Sequence, residues 1–353
     1  MNRNLIAISI LIFVFLFANY SFTQNDQYHC PPCPFDCHQV YFKKPGLCPV
    51  CKMELIKIVH SEYEGYLKEE HLIINTKDSI LLNSAFYFPE KGEMDGILII
   101  GHGSAPTNYE DVSYYINIGT KLNMAVLAFD KRGVGKSTGK YESFQVERSE
   151  EWFDLLASDI ISVIEWIKSN PELNSLKIGL LGGSQAGWIL PLAASHSKEV
   201  DFIIIGEGTS VSAGEEHYFS QLTGDGYGEG ISIIEADKKL QNFEGERGYD
   251  PRIILNNLKV KTLWFLGTSD PVIPVDATIR VLEELDNPNF KIKILKNGNH
   301  DFVNVETGEQ YNLVSFIKSW LDEVVSTSSS RTFCCTRRPT RRSATSYANA
   351  SAC

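Results

Sequence analysis

The feature that most constrains the fold of this chain is a repeated alternation of short apolar runs with longer amphipathic stretches between residues 70 and 325. The runs have the length of buried β-strands and stand at residues 97–100, 124–129, 177–181, 202–205 and 262–266, and the segment 291–295 completes the strand series. Apolar runs of this length are typical of parallel strands that are covered on both faces. Two earlier segments, 71–75 and 81–88, surround a turn at 77–79 and indicate antiparallel strands.

The amphipathic stretches indicate helices between these strands. The clearest are 149–169, which stops before Pro171, and 313–325, which closes the series. Strands that alternate with helices predict an α/β fold with a mostly parallel sheet and helices on both faces. In such a sheet, functional groups gather in the loops at the carboxyl ends of the strands.

Residues 207–251 form an insertion between two predicted strands, which we interpret as a cap over the site. It contains a glycine-rich segment, 224–230, and a helix-like stretch, 231–241. A cap of this kind excludes water and selects the substrate. Its carboxylates either attract a cationic substrate or form a solvated face, and they are Glu207, Glu215 and Glu216.

A candidate nucleophile, Ser184, lies in a glycine-rich turn, 182–187, between the run at 177–181 and a helical stretch at 188–195. A serine on a tight strand-to-helix turn needs small neighbours, because the backbone is strained and the hydroxyl must project. Ala186 stands where glycine is usual, and alanine is the smallest replacement. Taken alone, the motif also fits a turn with a surface serine.

Two further strand ends carry an acid and a histidine. Asp270 follows the run at 262–266, and His300 follows the run at 291–295. Either residue alone would more often be a turn former, but three coincident placements in the order Ser184, Asp270, His300 indicate a nucleophile, an acid and a base. Ser184 would attack a carbonyl carbon, His300 would take and return the proton, and Asp270 would hold the imidazole tautomer.

An oxyanion intermediate also needs two aimed hydrogen-bond donors. The N–H of Gln185, at the start of the helix after Ser184, is the first candidate. The N–H of Ser104, in the loop after 97–100, is the second. His102 in the same loop is interpreted as a structural residue rather than as the base.

These loops resemble those of the α/β-hydrolase superfamily. Residues 129–137 match its Asp-x-Arg-Gly-x-Gly-x-Ser loop, and the turn at Ser184 is similar to the Gly-x-Ser-Gln turn of bacterial esterases and serine-peptidase-like members. The resemblance covers residues 70–325. It implies hydrolysis of an ester, thioester or amide in a small acyl-containing substrate, without a cofactor for the chemistry.

Part of the same loop also looks like a nucleotide-binding motif. In a phosphate-binding loop, the position that Asp130 occupies would be a glycine. An acidic residue there would repel a phosphate, so nucleotide binding is excluded.

A cysteine-rich segment, 28–58, precedes the hydrolase-like region. Two Cys-x-x-Cys pairs, Cys30/Cys33 and Cys48/Cys51, are separated by 14 residues and can converge on one tetrahedral ion, zinc or another soft heavy metal. So short a segment lacks a core of its own, and metal binding would supply its folding free energy. Disulfides are the alternative in an oxidising compartment.

Residues 28–31, Tyr-His-Cys-Pro, and residues 44–55, which include Pro-Gly-Leu-Cys-Pro-Val-Cys, together resemble the small heavy-metal-binding domain attached to copper transporters and efflux adaptors. Pro32 and Cys33 replace the Met-His of that family, which shifts the implied ligands toward sulfur alone. Cys37 and His38 are adjacent and are possible additional ligands.

The two ends of the chain differ from its middle. Residues 1–23 combine Arg3, a predominantly apolar run at 5–18 and small residues near 21–23, which indicates a signal peptide and therefore export, to the periplasm or beyond. A retained membrane anchor is the alternative, although the run is short for a span. Once the signal is removed, we expect no stable membrane span. Residues 326–353 are basic and without apolar periodicity, which predicts a disordered tail or a segment outside the natural reading frame.

The formal net charge of −11 makes nucleic acid an improbable partner, because phosphate neutralisation needs clustered Lys and Arg. The sequence thus predicts an exported serine hydrolase with a metal-binding module. Two alternatives stay open: a metal-handling protein with a catalytically silent hydrolase scaffold, and a serine peptidase that acts on small peptides.

Overall fold

The computed structural model describes residues 27–30, 40–226 and 230–328. The predicted signal peptide at 1–23 lies outside these ranges. So do Cys33, Cys37, His38 and the part of the predicted tail beyond residue 328.

The described strands form one sheet in the order β11-β10-β9-β8-β6-β7-β5-β4-β3-β1-β2. The strands are β1 Gln27–His29, β2 Tyr41–Phe42, β3 Ile56–His60, β4 Tyr66–Ile74, β5 Leu81–Pro89, β6 Ile97–Gly101, β7 Ala125–Phe129, β8 Ile178–Gly183, β9 Val200–Gly206, β10 Lys261–Gly267 and β11 Phe290–Leu295. Neighbours from β7 to β11 run parallel. Those from β7 through β5 to β2 run antiparallel, so the sheet is mixed rather than mostly parallel as the sequence predicted, because the N-terminal strands add to it as antiparallel neighbours.

Helices cover both faces of this sheet, as predicted. They are α1 Ser113–Lys121, α2 Ser149–Ser169, α3 Ala186–His196, α4 Ala213–Thr223, α5 Ile233–Leu240, α6 Arg252–Asn257, α7 Val275–Leu285 and α8 Leu313–Ser328. In β6, Ile97 and Ile99 face the core beneath α2 and α3, while Leu98 and Ile100 face the core beneath α1 and α8. This two-residue alternation explains why a fully apolar run was needed there.

Helix α2 shows how the local sequence determines the buried face and the end of a helix. Phe153, Ile160 and Ile167 recur every seven residues and are at most 2% exposed. Burying each of them contributes about 1.5–3 kcal/mol to stability. The helix ends at Ser169, just before Pro171, which lacks an N–H and disfavours a helical conformation in the preceding residue.

The insertion at 207–251 contains α4 and α5 and packs on α7. Phe219 of α4 and Leu240 of α5 share a small core with Val281 of α7. The guanidinium of Arg280 also lies 2.8 Å from the carboxylate of Asp237. These contacts anchor the insertion near the ends of β9 and β10.

The cysteine-rich segment is joined to the main sheet. Its last strand, β3, pairs with β4, and Ile58 contributes to the main core. Near the pairing of β3 with β4, the Glu69 carboxylate lies 3.0 Å from His29 Nε2 and 3.3 Å from His71 Nε2. The boundary at residue 58 that the sequence indicated therefore falls inside a strand of the shared sheet.

Helix α8 extends to Ser328, so it includes the first residues of the range predicted as a tail. Within the described ranges, no helix is both long and apolar enough to cross a lipid bilayer.

Candidate active site

Ser184 lies at the sharp turn between β8 and α3. Its φ of 56° is in the left-handed region, where non-glycine residues are uncommon. Its N–H donates to the carbonyl oxygens of Gly206 (3.1 Å) and Glu207 (3.2 Å), which hold the turn against the end of β9. Ser184 is half-buried, so it remains accessible at the carboxyl edge of the parallel strands.

Small neighbours are needed at this turn because other groups approach closely. A Cβ atom at Gly183 would lie 2.1 Å from the hydroxyl oxygen of Tyr115. The methyl group of Ala186, at the position where glycine was expected, fits because Gly182 faces it. A Cβ atom at Gly182 would lie 2.7 Å from that methyl carbon.

Asp270 and His300 form a direct pair at the ends of β10 and β11. The Nδ1 atom of His300 lies 2.7 Å from Oδ2 of Asp270 and donates to it. Asp270 is 1% exposed, and its other oxygen accepts from the N–H groups of Val272 (2.7 Å) and Ile273 (3.2 Å). The carboxylate therefore selects the tautomer that leaves Nε2 of His300 without a proton.

The environment of His300 favours its protonated form. Burial lowers the pKa of the imidazole, but the hydrogen bond and the charge of Asp270 outweigh burial, and the pKa rises above its ordinary value of 6.5. The carboxylates of Asp301 and Asp225 act in the same direction.

Ser184 and His300 lie on the same edge, although no hydrogen bond joins them in the described part of the chain. The ring of Phe302, two residues after His300, packs so closely on Gly206 that a Cβ atom there would lie 2.4 Å from it. The carbonyl of Gly206 in turn accepts from the N–H of Ser184. The histidine loop thus meets the serine turn, and catalytic hydrogen bonds commonly tighten only when substrate is bound.

The two proposed oxyanion donors flank the serine. Gln185 follows it directly, and its N–H precedes the first turn of α3. The loop of Ser104 is also close, because a Cβ atom at Gly103 would lie 3.7 Å from Cβ of Ser184. Within the described residues, neither the Gln185 N–H nor the Ser104 N–H has an intramolecular acceptor.

A buried lysine, Lys131, ties these two donor segments together. Its Nζ atom donates to the carbonyl oxygens of Gly103 (2.7 Å), Ser104 (3.2 Å) and Ala105 (3.4 Å), and to Oε1 of Gln185 (3.2 Å). The residue is 1% exposed. Burial lowers the pKa of the ammonium group to about 7, whereas Asp159 and the four acceptor oxygens favour the charged form.

The sequence did not reveal this role of Lys131. It lies at the variable position of the Asp-x-Arg-Gly motif, and its partners are at least 26 residues away in the chain. The presence of a lysine inside an otherwise structural motif was the one sequence signal that could have indicated this role of Lys131.

The other members of that motif stabilise the loop. Asp130 accepts hydrogen bonds from the N–H groups of Tyr109 and Lys136, each at 2.9 Å, so both oxygens of its carboxylate are used within the protein. Arg132 makes two hydrogen bonds to Asp159, at 2.7 and 2.8 Å.

His102 is placed as a structural residue. It is 5% exposed, and its Nε2 atom lies 2.7 Å from the carbonyl oxygen of Phe129. Burial, assisted by the charge of Lys131, lowers the pKa of this imidazole to about 4. His102 is therefore neutral at pH 7 and is held as a hydrogen-bond donor.

The three carboxylates of the insertion have different environments. Glu215 caps α4 through Ser212 and pairs with Arg252 at 2.9 Å, so it is neutralised inside the protein. Glu207 is 1% exposed. Glu216 is partly exposed, and burial together with the charges of Asp225 and Asp270 raises the pKa of this carboxyl to about 8. Glu207 and Glu215 therefore do not belong to a solvated acidic face.

In the cysteine-rich segment, three sulfur atoms converge. The Sγ atoms of Cys30, Cys48 and Cys51 all lie within 4.8 Å of one another, and those of Cys30 and Cys51 are 3.0 Å apart. Cys30 and Cys48 are fully buried. A tight turn brings the second pair together, with Lys52 at a φ of 65° and its N–H bonded to the carbonyl of Cys48 (3.0 Å). These thiols could supply three ligands to a soft metal ion.

The sheet order and the strained serine turn at the carboxyl edge define an α/β-hydrolase. The chain belongs to the prolyl oligopeptidase family, whose sequence profile matches residues 110–328. Fold and family together place it among the serine hydrolases, the class that contains esterases and serine peptidases.

The similarity of this chain to individual proteins is low or covers only part of the chain. An uncharacterised 31.7 kDa protein of Escherichia coli is 29% identical over 119 residues, 34% of this chain, and the chain spans only 39% of the length of that curated relative. An esterase of Pyrococcus furiosus has a TM-score of 0.54 at 19% identity, over 76% of this chain and 95% of the esterase. An acetyl xylan esterase of Paenibacillus has a TM-score of 0.53 at 15% identity, over 77% and 87% of the two chains. At such low identity, both structural likenesses show the fold alone.

Proposed function

We propose that this protein is an exported serine hydrolase that cleaves a carboxylic ester or a related acyl bond through an acyl-enzyme. The observation that carries the proposal is the 2.7 Å pair of His300 and buried Asp270 on the same edge as the strained Ser184. The signal-like residues 1–23 support export. Family membership favours amide bonds of small peptides as a second substrate class.

In this mechanism, Ser184 Oγ attacks the acyl carbon while Nε2 of His300 accepts its proton. Asp270 stabilises the imidazolium that forms, and the N–H groups of Gln185 and Ser104 stabilise the oxyanion. The imidazolium then protonates the leaving oxygen or nitrogen as its bond to the acyl carbon breaks. A water molecule repeats the sequence on the acyl-enzyme and restores Ser184.

The test is to treat the purified protein with a fluorophosphonate probe and to map the modified peptide by mass spectrometry. We expect one tag per chain, on Ser184. Turnover is then compared on p-nitrophenyl esters from acetate to long acyl chains and on short peptidyl p-nitroanilides. Preference for the esters supports the first substrate class, and preference for the anilides supports the peptidase. If neither labelling nor turnover occurs, the alternative of a catalytically silent scaffold is favoured.

The acid side of the pH profile follows from the pKa of His300. The imidazole must be neutral to accept the serine proton, so kcat/KM falls as the pH drops through its pKa. Because that pKa is raised, we expect the midpoint of the acid limb to lie above 6.5. Replacing Asp270 with Asn removes the raising charge and should move the limb to lower pH. A rate that stays flat down to pH 4 would exclude His300 as the base.

We further propose that the cysteine-rich segment binds one zinc-like ion, for which three converging thiols supply three ligands. Cys33 is the natural fourth ligand on sequence spacing, with Cys37 and His38 as further candidates. This ion would be structural, because the hydrolase chemistry requires no metal.

Metal analysis of the purified protein is expected to find about one ion per chain, in line with a single tetrahedral site. The variant Cys48→Ser should lose it, because a buried thiolate ligand is removed. Cys335→Ser, which deletes a thiol outside the segment, is the matched control and should retain the metal. A metal-free protein whose segment 30–51 is fully disulfide-bonded by intact mass would refute the site.

A further inference from the structure

Glu207 is a buried carboxyl group that the mechanism above does not use. It directly follows β9, lies between Gly206 and Gly208, and is 1% exposed. Its φ of 46° is in the left-handed region, which is strained for a non-glycine residue. Glycine would adopt this conformation without strain, so the strain at this position points to a role for the carboxyl side chain.

The contacts of Glu207 join three parts of the proposed site. Its carbonyl oxygen accepts from the N–H of Ser184 at 3.2 Å. Its Oε2 atom accepts from the N–H of Gly267 at 2.9 Å, at the end of β10. The carbonyl of Gly267 in turn accepts from the N–H of Asp270 at 3.2 Å. One residue thus links the serine turn to the loop that carries the acid.

The carboxyl group of Glu207 packs closely against the backbone at Gly267. A Cβ atom at Gly267 would lie 2.8 Å from Oε1 of Glu207, so the carboxyl group rests directly on the backbone there. Within the described residues, Oε1 of Glu207 has no hydrogen-bond donor, and no lysine or arginine pairs with this carboxyl.

The charged and titratable groups around Glu207 disfavour a second negative charge. Asp270 interacts with it directly, and Tyr114 and Tyr115 of α1 face it as neutral phenols whose own pKa values are raised. Asp270 accepts two N–H groups and the imidazole of His300, whereas Glu207 accepts a single N–H. Burial first, and then the charge of Asp270, raise the pKa of Glu207 well above its ordinary value. Both effects favour the neutral form of Glu207.

We propose that Glu207 is a positioning residue that, as a neutral acid, fixes the acid loop against the serine turn and leaves one negative charge, on Asp270, beside His300. The inference rests on the proposed function, because it assigns Glu207 to the same triad. Its central statement, that the carboxyl carries no charge, can nevertheless be tested without turnover.

The deciding measurement is the pKa of His300 by NMR in protein labelled at histidine, with the resonance assigned by its loss in His300→Gln. In Glu207→Gln, a neutral group replaces a neutral group, so we expect the His300 pKa to change by less than about 0.2. Asp301→Asn is the matched control, because Asp301 raises this pKa and its removal should lower it measurably. If Glu207→Gln lowers the His300 pKa as Asp301→Asn does, Glu207 is ionised and the proposal is wrong.

Activity tests the positioning role separately. In Glu207→Leu, the N–H of Gly267 loses its acceptor, and we expect kcat/KM to fall by about 10- to 100-fold through misplacement of Asp270. Glu207→Gln keeps an acceptor oxygen and should restore most of that loss. Equal activities for wild type and Glu207→Leu would overturn the positioning role. A wild-type protein that neither labels nor turns over would refute the proposed function while the NMR result still decides the charge of Glu207.

Discussion

Replacing Ser184 with alanine is expected to lower kcat by roughly 10⁵- to 10⁶-fold, the loss that follows removal of a hydrolase nucleophile. Without Oγ no acyl-enzyme can form, and only the oxyanion donors and substrate binding remain. Alanine tolerates a φ of 56° about as poorly as serine does, so the fold should be unaffected. Steady-state kinetics on the preferred ester, with a thermal melt of each protein, checks both statements.

The matched control for this substitution is Ser169→Ala. Ser169 is an exposed residue at the end of α2, and the same hydroxyl is removed there without touching the carboxyl edge of the sheet. It should retain wild-type turnover and fluorophosphonate labelling. If Ser184→Ala keeps more than about a tenth of wild-type kcat, far above what removal of a nucleophile leaves, the nucleophile is another residue.

Replacing Lys131 with methionine should give the second largest loss, about 10²- to 10³-fold in kcat/KM, similar to removal of an oxyanion donor. Lys131 binds three consecutive carbonyls of the Ser104 loop and the side chain of Gln185, so it fixes both donor segments at once. Because the donors act on the transition state, we expect kcat to change more than KM. Phosphonylation of Ser184, which also forms an oxyanion-like adduct, should slow in parallel.

The control is Lys136→Met in the same loop. The side chain of Lys136 is 71% exposed and lies 3.7 Å from Glu70, so the same chemical change should leave activity close to wild type.

The charge of Lys131 also gives a pH test. Because the pKa of Lys131 is lowered to about 7, its deprotonation should make kcat/KM fall on the alkaline limb of the pH profile. That limb should be absent in Lys131→Met. Identical kinetics for the two variants would remove Lys131 from the site.

Much of the architecture could be predicted because its signals are local. A strand that is buried on both faces is apolar at nearly every position, so β6 to β10 were visible as short runs, whereas the partly exposed edge strand β11 alternates lysine with isoleucine. The bounds of α2 followed from a seven-residue apolar spacing and a proline beyond its end. The serine turn also needs small residues next to one another in the chain, which a linear pattern records.

Two features of the site could not be predicted, because they depend on groups that are distant in the chain. Lys131 and Glu207 are charged residue types, which on sequence statistics belong on the surface. Their burial is possible only because strand ends far apart in the chain bring acceptors or donors to them. Glu207 illustrates the limit: the sequence suggested a substrate-attracting or solvated carboxylate, whereas the structure buries it beneath Gly267.

The amino-acid order alone therefore determined the class of fold and the order of the serine, acid and histidine loops. It also showed the two Cys-x-x-Cys pairs. Only the tertiary structure decided that β3 joins the cysteine-rich segment to the main sheet, and which buried residues contact the serine turn. The physical reason is range: apolar periodicity and turn chemistry act between near neighbours, whereas strand pairing and the protonation of a buried carboxyl depend on everything that packs around them.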